Sequence, residues 1–377
     1  MDRTIRKREP RRTRWILLPI LLGWACAHAT PGALRPVTDL PATTQDVVRF
    51  GSGTGVDEQA AVANVAGGGF IVIYSNLADG EVDSASLRMA RSADGASIGE
   101  SSPVSFVAGA EGFPAMVIAN GRQWLYFASG GEYGLKLWRV PVSDDGSFAA
   151  PQALPPIAQL DRLAQGPRWV SFADSLGATF RGPGSIPMWA RSADGVHWGT
   201  SVSLADVAVA YPRVVPMGPS GCFFSYQRPP EGGYMATYTS VSKDCAQWSS
   251  TVPIAWPAAP NRPDVHDAYA LPRVDGGVDL YYVYPSLKGD GARFAVGFDL
   301  YRRAVGPDGT FGVEQLLTTP KDFFPFTPAA HRLANGNVLV TFADIQVVGE
   351  TAVSTATISA FVLPSDAPPP RKRDGGP

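Results

Sequence analysis

A chain of 377 residues is long enough for two or three ordinary domains, yet all-β rings and barrels of this size also fold as one unit. Its composition, 45% apolar and 18% charged with 40 glycines and 34 prolines, excludes a disordered chain and a coiled coil and fits many short strands joined by tight turns. Beyond residue 25 no i, i+3, i+4, i+7 apolar spacing persists for more than about three turns, so helix is a minor component.

The first elements lie at the N-terminus. Seven basic side chains between Arg3 and Arg14 precede an apolar run from Trp15 to Ala25, about half the roughly 20 residues needed to cross a bilayer. This pattern predicts a signal peptide over residues 1–25 and therefore export. Cys26 follows Leu22-Gly23-Trp24-Ala25, which resembles the lipobox of bacterial lipoproteins in having a small residue before the cysteine; Gly23 and the bulky Trp24 depart from it. The resemblance implies lipidation of Cys26, hence an outer-membrane or cell-surface lipoprotein that touches the membrane only through its lipid. Cleavage after Ala27 or Ala29 would instead release a periplasmic or secreted protein. Without residues 1–25 the chain keeps 25 basic and 32 acidic side chains. No basic stripe opposes that acidic field, so nucleic acid is not an expected partner.

Further along, six apolar β-rich runs align beneath one another: Phe70–Ser75, Trp124–Ser129, Trp169–Asp174, Cys222–Gln227, Leu280–Pro285 and Val338–Ala343. Their starts lie 45 to 58 residues apart, the signature of a repeat architecture. Most follow a short turn such as Gly67-Gly68-Gly69, Asn120-Gly121 or Asn335-Gly336-Asn337, preceded by another apolar strand, which is a hairpin pattern. After each run come a variable loop and a third strand. In five repeats a second turn then leads to a fourth strand: Ser92-Ala93-Asp94-Gly95, Ser143-Asp144-Asp145-Gly146, Ser192-Ala193-Asp194-Gly195, Ser242-Lys243-Asp244-Cys245 and Pro307-Asp308-Gly309.

These turns, three of them Ser-x-Asp-Gly and two of them continuing to Trp198 and Trp248, resemble the Asp box (BNR repeat) of sialidases and related propellers. In that family the Ser and Asp side chains close the turn between third and fourth strands, and Trp packs into the blade. This chain lacks one residue between Asp and Gly. The resemblance covers roughly residues 46–363 and implies an all-β, six-bladed β-propeller of four-stranded antiparallel blades, a closed ring that hides its sheet edges. The sixth repeat has a third strand in 351–363 but no fourth, so Gln45–Phe50 is expected to supply it and fasten the ring. The expected organisation is a signal peptide (1–25), a tether (26–45), the propeller (46–364) and a disordered tail (365–377). In the fourth blade, antiparallel pairing brings Cys222 near Cys245, which allows either a disulfide or two buried thiols.

Strand polarity puts the Asp turns on one face, where their carboxylates are structural, and the long loops on the other: 76–84, 174–185, 227–234, 256–267, 286–297 and 318–326. Function usually occupies such loops. Side chains at the start of each first strand should ring the channel there: Asp57 and Glu58, Glu111, Asp161 and Arg162, Tyr211 and Arg213, His266 and Asp267, and Phe326. That mixture suits a polar ligand such as a sugar.

Sialidases hold the substrate carboxylate with three arginines, the first in an Arg-Ile-Pro segment, and use a tyrosine paired with a glutamate as nucleophile. No Arg-Ile-Pro occurs in this chain, and Glu58 falls where that arginine would stand. Sialic-acid hydrolysis is therefore not expected. Arg162 and Arg213 could form part of an anion site, whereas Arg273 and Arg332 fall at turns on the opposite face. Another glycoside hydrolase chemistry would use two of Asp57, Glu58, Glu111, Asp161 and Asp267. Five-bladed arabinanase-like enzymes also use carboxylates in the channel, but six repeats argue against them. Four histidines without ligand spacing predict no metal, and no cofactor is expected. Two functions remain: a monomer that binds, and in one form hydrolyses, a glycan or polysaccharide, and a non-catalytic surface scaffold that holds a protein.

Overall fold

The computed structural model describes residues 32–37, 39–43, 45–52, 55–78, 85–130, 135–160, 166–228, 236–254, 266–286, 297–318, 325–348 and 352–365. The expected signal peptide, Cys26 and almost all of the expected tail lie outside them. So do most residues of the long loops, 79–84, 229–235, 255–265, 287–296 and 319–324 among them.

Six four-stranded antiparallel blades form a β-propeller. From the channel outward their first strands are Val56–Asn64, Glu111–Ala119, Arg168–Ser171, Ala210–Met217, His266–Pro272 and Pro325–Arg332. The second strands, Phe70–Leu77, Arg122–Ser129, Leu176–Arg181, Gly221–Arg228, Val278–Ser286 and Val338–Val348, carry most of the core. Both faces of these strands are covered by neighbouring blades, which is why they read as continuous apolar runs rather than alternating ones. Phe70 through Tyr74, for example, are all 0–1% exposed, and each such large side chain contributes about 1.5–3 kcal/mol through burial.

The third run is corrected. Trp169–Asp174 is not a second strand: Arg168–Ser171 is the first strand of the third blade, Phe172–Ser175 its turn, and Leu176–Arg181 the second strand. The stretch 174–185, expected as a loop, is consequently mostly strand. Trp169 gives this first strand its apolar look because its indole packs between Tyr126 and Trp198, at 4.9 and 5.3 Å between ring centroids.

Ring closure follows the expected route. Val48–Arg49 pairs antiparallel with Ser359–Ala360 as the fourth strand of the sixth blade. Arg49 adds an ion pair to the buried Asp344 at 2.7 Å. Residues ahead of it, expected as a tether, are already attached: Gly32–Ala33 pairs with Ser97–Ile98, the Val37 N–H donates to Val362 O, and Leu34, Val37 and Ala42 are buried.

The five Asp turns have the bonds that turn chemistry requires. Asp94 accepts from the Ala96 and Ser97 N–H groups, and Asp194 from those of Val196 and His197. Asp145, Asp244 and Asp308 do the same at Ser147, at Ala246 and Gln247, and at Thr310. Trp198 and Trp248 pack inward against Trp169 and Phe224. Cys222 and Cys245 form a disulfide with a Cα separation of 5.1 Å.

Candidate functional site

The first strands share an irregularity that the repeat in the sequence conceals. Five of the six bulge at one level, at Gln59-Ala60, Phe113-Pro114, Tyr211-Pro212, Asp267-Ala268 and Thr327-Pro328. Each pair opposes one buried aromatic on the second strand: Tyr74, Phe127, Tyr226, Tyr282 and Phe342 respectively. In the third blade Gly166-Pro167 precedes the strand, and since Arg168 pairs with Thr179, Pro167 comes level with Phe180. A bulge fits proline because its missing N–H is not needed by the ladder there. Gln59, Phe113, Tyr211 and Thr327 adopt φ of 56°, 58°, 50° and 43°, a conformation uncommon for side chains of this size and one that tends to cluster at functional sites. The neighbouring blade supports the arrangement, since the Phe113 N–H donates to Ser75 Oγ at 3.1 Å and the Val214 N–H to Thr179 Oγ1 at 3.0 Å.

These bulges wall a cavity of about 140 Å³ in the channel. Its lining includes Phe113, Trp169, Tyr211 and Tyr269, the guanidinium-bearing Arg168 and Arg213, His331, and alanines from several blades. No carboxylate lines it among the described residues. Arg213 lies over the Tyr269 ring at 4.0 Å, and that ring is 5.7 Å from His331. His331 Nε2 sits 3.2 Å from Ala60 O; burial, helped by the charge of Arg213, lowers the imidazole pKa to about 4, so it is neutral at pH 7. The Arg168 backbone pairs with Thr179, while its guanidinium makes no hydrogen bond or ion pair with any described residue. It also lines a small adjoining pocket with Arg181, whose Nε is buried without a partner among the described residues and whose Nη2 donates to Ser185 Oγ.

Tyr211 and Arg213 line the cavity, whereas Asp57, Glu111 and Phe326 do not. Asp57 is fully buried and does not line the cavity. Its carboxyl accepts from Ser52 N and Oγ, from Asn76 Nδ2 at 2.7 Å and from Ile358 N, tying the first blade to the last. Burial raises its pKa in spite of these bonds. The carboxyl comes so close to Gly51 that a Cβ there would lie 2.2 Å from its Oδ2. Glu111 is also buried, with Oε1 accepting from the Phe106 and Val107 N–H groups at 2.8 and 2.7 Å, which closes the connection between the first two blades. Phe326 precedes its bulge, and Thr327 takes the channel position. The physical reason is common to all three: the extra residue of the bulge re-aims the strand, so the channel-lining side chains come one or two positions later than simple alternation predicts. Asp161 and Arg162 lie outside the described residues, as do the side chains of Glu58, His266 and Asp267.

Sequence reasoning missed Arg168, Trp169, Tyr269 and the bulges. A signal existed. Pro114, Pro167, Pro212 and Pro328 each precede the buried aromatic of the second strand by 13 or 14 residues. Applied to Phe180, that spacing corrects the third blade and brings Arg168 to the channel.

No protein-family model matches the chain, and no curated protein is similar to it in sequence. Solved structures do match over most of its length. A Dyadobacter fermentans protein of unknown function has a TM-score of 0.57 at 14% identity, covering 84% of this chain and 98% of its own. The Hadza microbial sialidase Hz136 has 0.55 at 17%, covering 84% and 68%. A Penicillium chrysogenum α-L-arabinanase complexed with arabinobiose has 0.55 at 13%, covering 88% and 97%. They share its fold. At such identities the likeness concerns architecture alone.

Proposed function

We propose that this chain is an exported, glycan-binding propeller, anchored through Cys26 or released by cleavage after Ala27 or Ala29, whose ligand carries an anionic group. One observation carries the reading: at the bulged mouth, aromatic rings and two guanidinia share a cavity wall that has no carboxylate among its described residues. Aromatic rings offer flat apolar faces to a sugar, while guanidinium binds carboxylate or sulfate through paired N–H donors. Neutral His331 adds no charge at pH 7 and leaves the anion to Arg168 and Arg213. The sialidase and the arabinobiose-bound arabinanase among the structural neighbours support a sugar at a propeller of this kind. Asp57 and Glu111 are committed to backbone and side-chain donors, so a hydrolytic pair would come from among Glu58, Asp161 and Asp267.

A glycan array followed by calorimetry tests this reading. Acidic oligosaccharides should bind in preference to neutral ones, and Arg168→Gln should weaken them by about 1.5–3 kcal/mol with Tm unchanged, the cost of a lost hydrogen bond to a charged group. Equal binding of neutral and acidic sugars, or none of either, would overturn it. Turnover of a fluorogenic glycoside abolished by Asp267→Asn would make the protein a hydrolase.

A further inference from the structure

The start of the described chain is held at one defined point. Gly32–Ala33 pairs with Ser97–Ile98, the Leu34 N–H donates to Ala96 O at 2.6 Å, and Leu34 is buried in one apolar cluster with Ile98 and Val362. Ala96 and Ser97 are the residues whose N–H groups Asp94 holds, so the chain joins the propeller on the face of the Asp turns. At the other end, Ser365 N–H donates to Asn337 Oδ1 beside a turn on that same face. The bulged mouth lies at the opposite ends of the strands.

We infer that the propeller stands with its Asp-turn face toward the lipid surface and its channel mouth away from it. The inference rests on the proposed N-terminal anchor, and it follows from distance. Gly32 is six residues beyond Cys26, a reach of at most about 20–22 Å even when fully extended. First strands of nine residues, Val56–Asn64 and Glu111–Ala119, separate the two faces by about 30 Å at 3.3 Å per residue. A tether that short, starting from the Asp-turn face, cannot bring the mouth to the headgroups. The Asp-turn face is suited to standing close: its hairpin turns are short, and its ionised aspartates keep it on the surface rather than in the acyl region. A mouth turned outward is open to large, immobile polymers as well as to small sugars.

The test uses the full chain with its own N-terminal segment, purified from bacterial membranes and returned to vesicles. A fluorophore is attached at Val274→Cys, on a hairpin turn of the Asp-turn face where the side chain is 94% exposed, or at Ala108→Cys, on the exposed connection at the mouth. Vesicles containing headgroup-quencher lipid should extinguish the Val274 probe and leave the Ala108 probe emitting. Quenching of both probes alike, or of Ala108 alone, overturns the orientation. Cys26→Ser separates the two layers of the argument. Its release into the soluble fraction supports the lipid anchor whatever the probes report, whereas recovery of the parent chain in the soluble fraction overturns anchor and orientation together.

Discussion

The two ends of the propeller solve opposite problems with the same strands. At the Asp-turn end, side chains repeat and the backbone is ordinary: exposed carboxylates accept N–H groups two and three residues on. Those bonds hold the carboxyls below the usual range, Asp194 chiefly through His197 and Asp94 chiefly through the Ala96 N–H. At the mouth, the backbone repeats and the side chains do not, since one bulge recurs in five blades under Gln, Phe, Tyr, Asp and Thr. Repetition of side chains marks the scaffold. Repetition of an unusual backbone beneath varied side chains marks the place where chemistry differs from blade to blade.

Four measurements test this contrast. The largest effect is expected at the seam, where Asp57→Ala strands donors from Ser52, Asn76 and Ile358; chemical denaturation should show a loss of about 3 kcal/mol. Asp194→Ala, at an exposed turn, should cost only about 1 kcal/mol and leave glycan affinity untouched. If Asp194→Ala proved as costly as Asp57→Ala, the division of labour between the ends would fail.

Asp299, at the mouth end of the fifth blade, is pushed up to about 6 by burial. Its folded pKa exceeds the unfolded one, so ionisation works against the fold as pH rises through that window. Asp299→Asn should therefore stabilise the protein at pH 7.5, by about 1 kcal/mol after discounting for its partial exposure, and the gain should vanish near pH 4. The last test is His331. Its folded pKa of about 4 lies below the unfolded value, so its contribution is complete above about pH 6.5 and is lost as pH falls toward 4. His331→Gln should flatten that part of the thermal-stability profile slightly; an unchanged profile would show that another group governs acid sensitivity.

Much of the fold is legible in the residues because it depends on local chemistry. Ser192 and Asp194, or Ser242 and Asp244, announce a turn wherever they stand, and runs such as Val338–Ala343 announce buried strands. Closure by Val48–Arg49 was legible too, since a sixth repeat without a fourth strand leaves an edge to cover. The third blade was not. Trp169-Val170-Ser171-Phe172 has the apolar look of a second strand, and its pairing with Leu176–Arg181 at the edge of the sheet shows it to be the first. The site was the least legible part. Tyr211 and Arg213 line the channel cavity as expected, whereas Asp57 and Glu111, which suggested catalysis by their position, are bonded into the frame.

By itself the amino-acid order determined how many blades there are, where their exposed corners turn, and that the ring borrows its last strand from the N-terminus, because alternation, glycine turns and Asx bonds act within a few residues. Which of the remaining side chains meet in the channel was settled by packing between strands and blades. A single inserted residue per strand changes the facing of those around it, and whether the ladder takes that insertion depends on aromatics 13 or 14 positions downstream and on hydroxyls of the neighbouring blade.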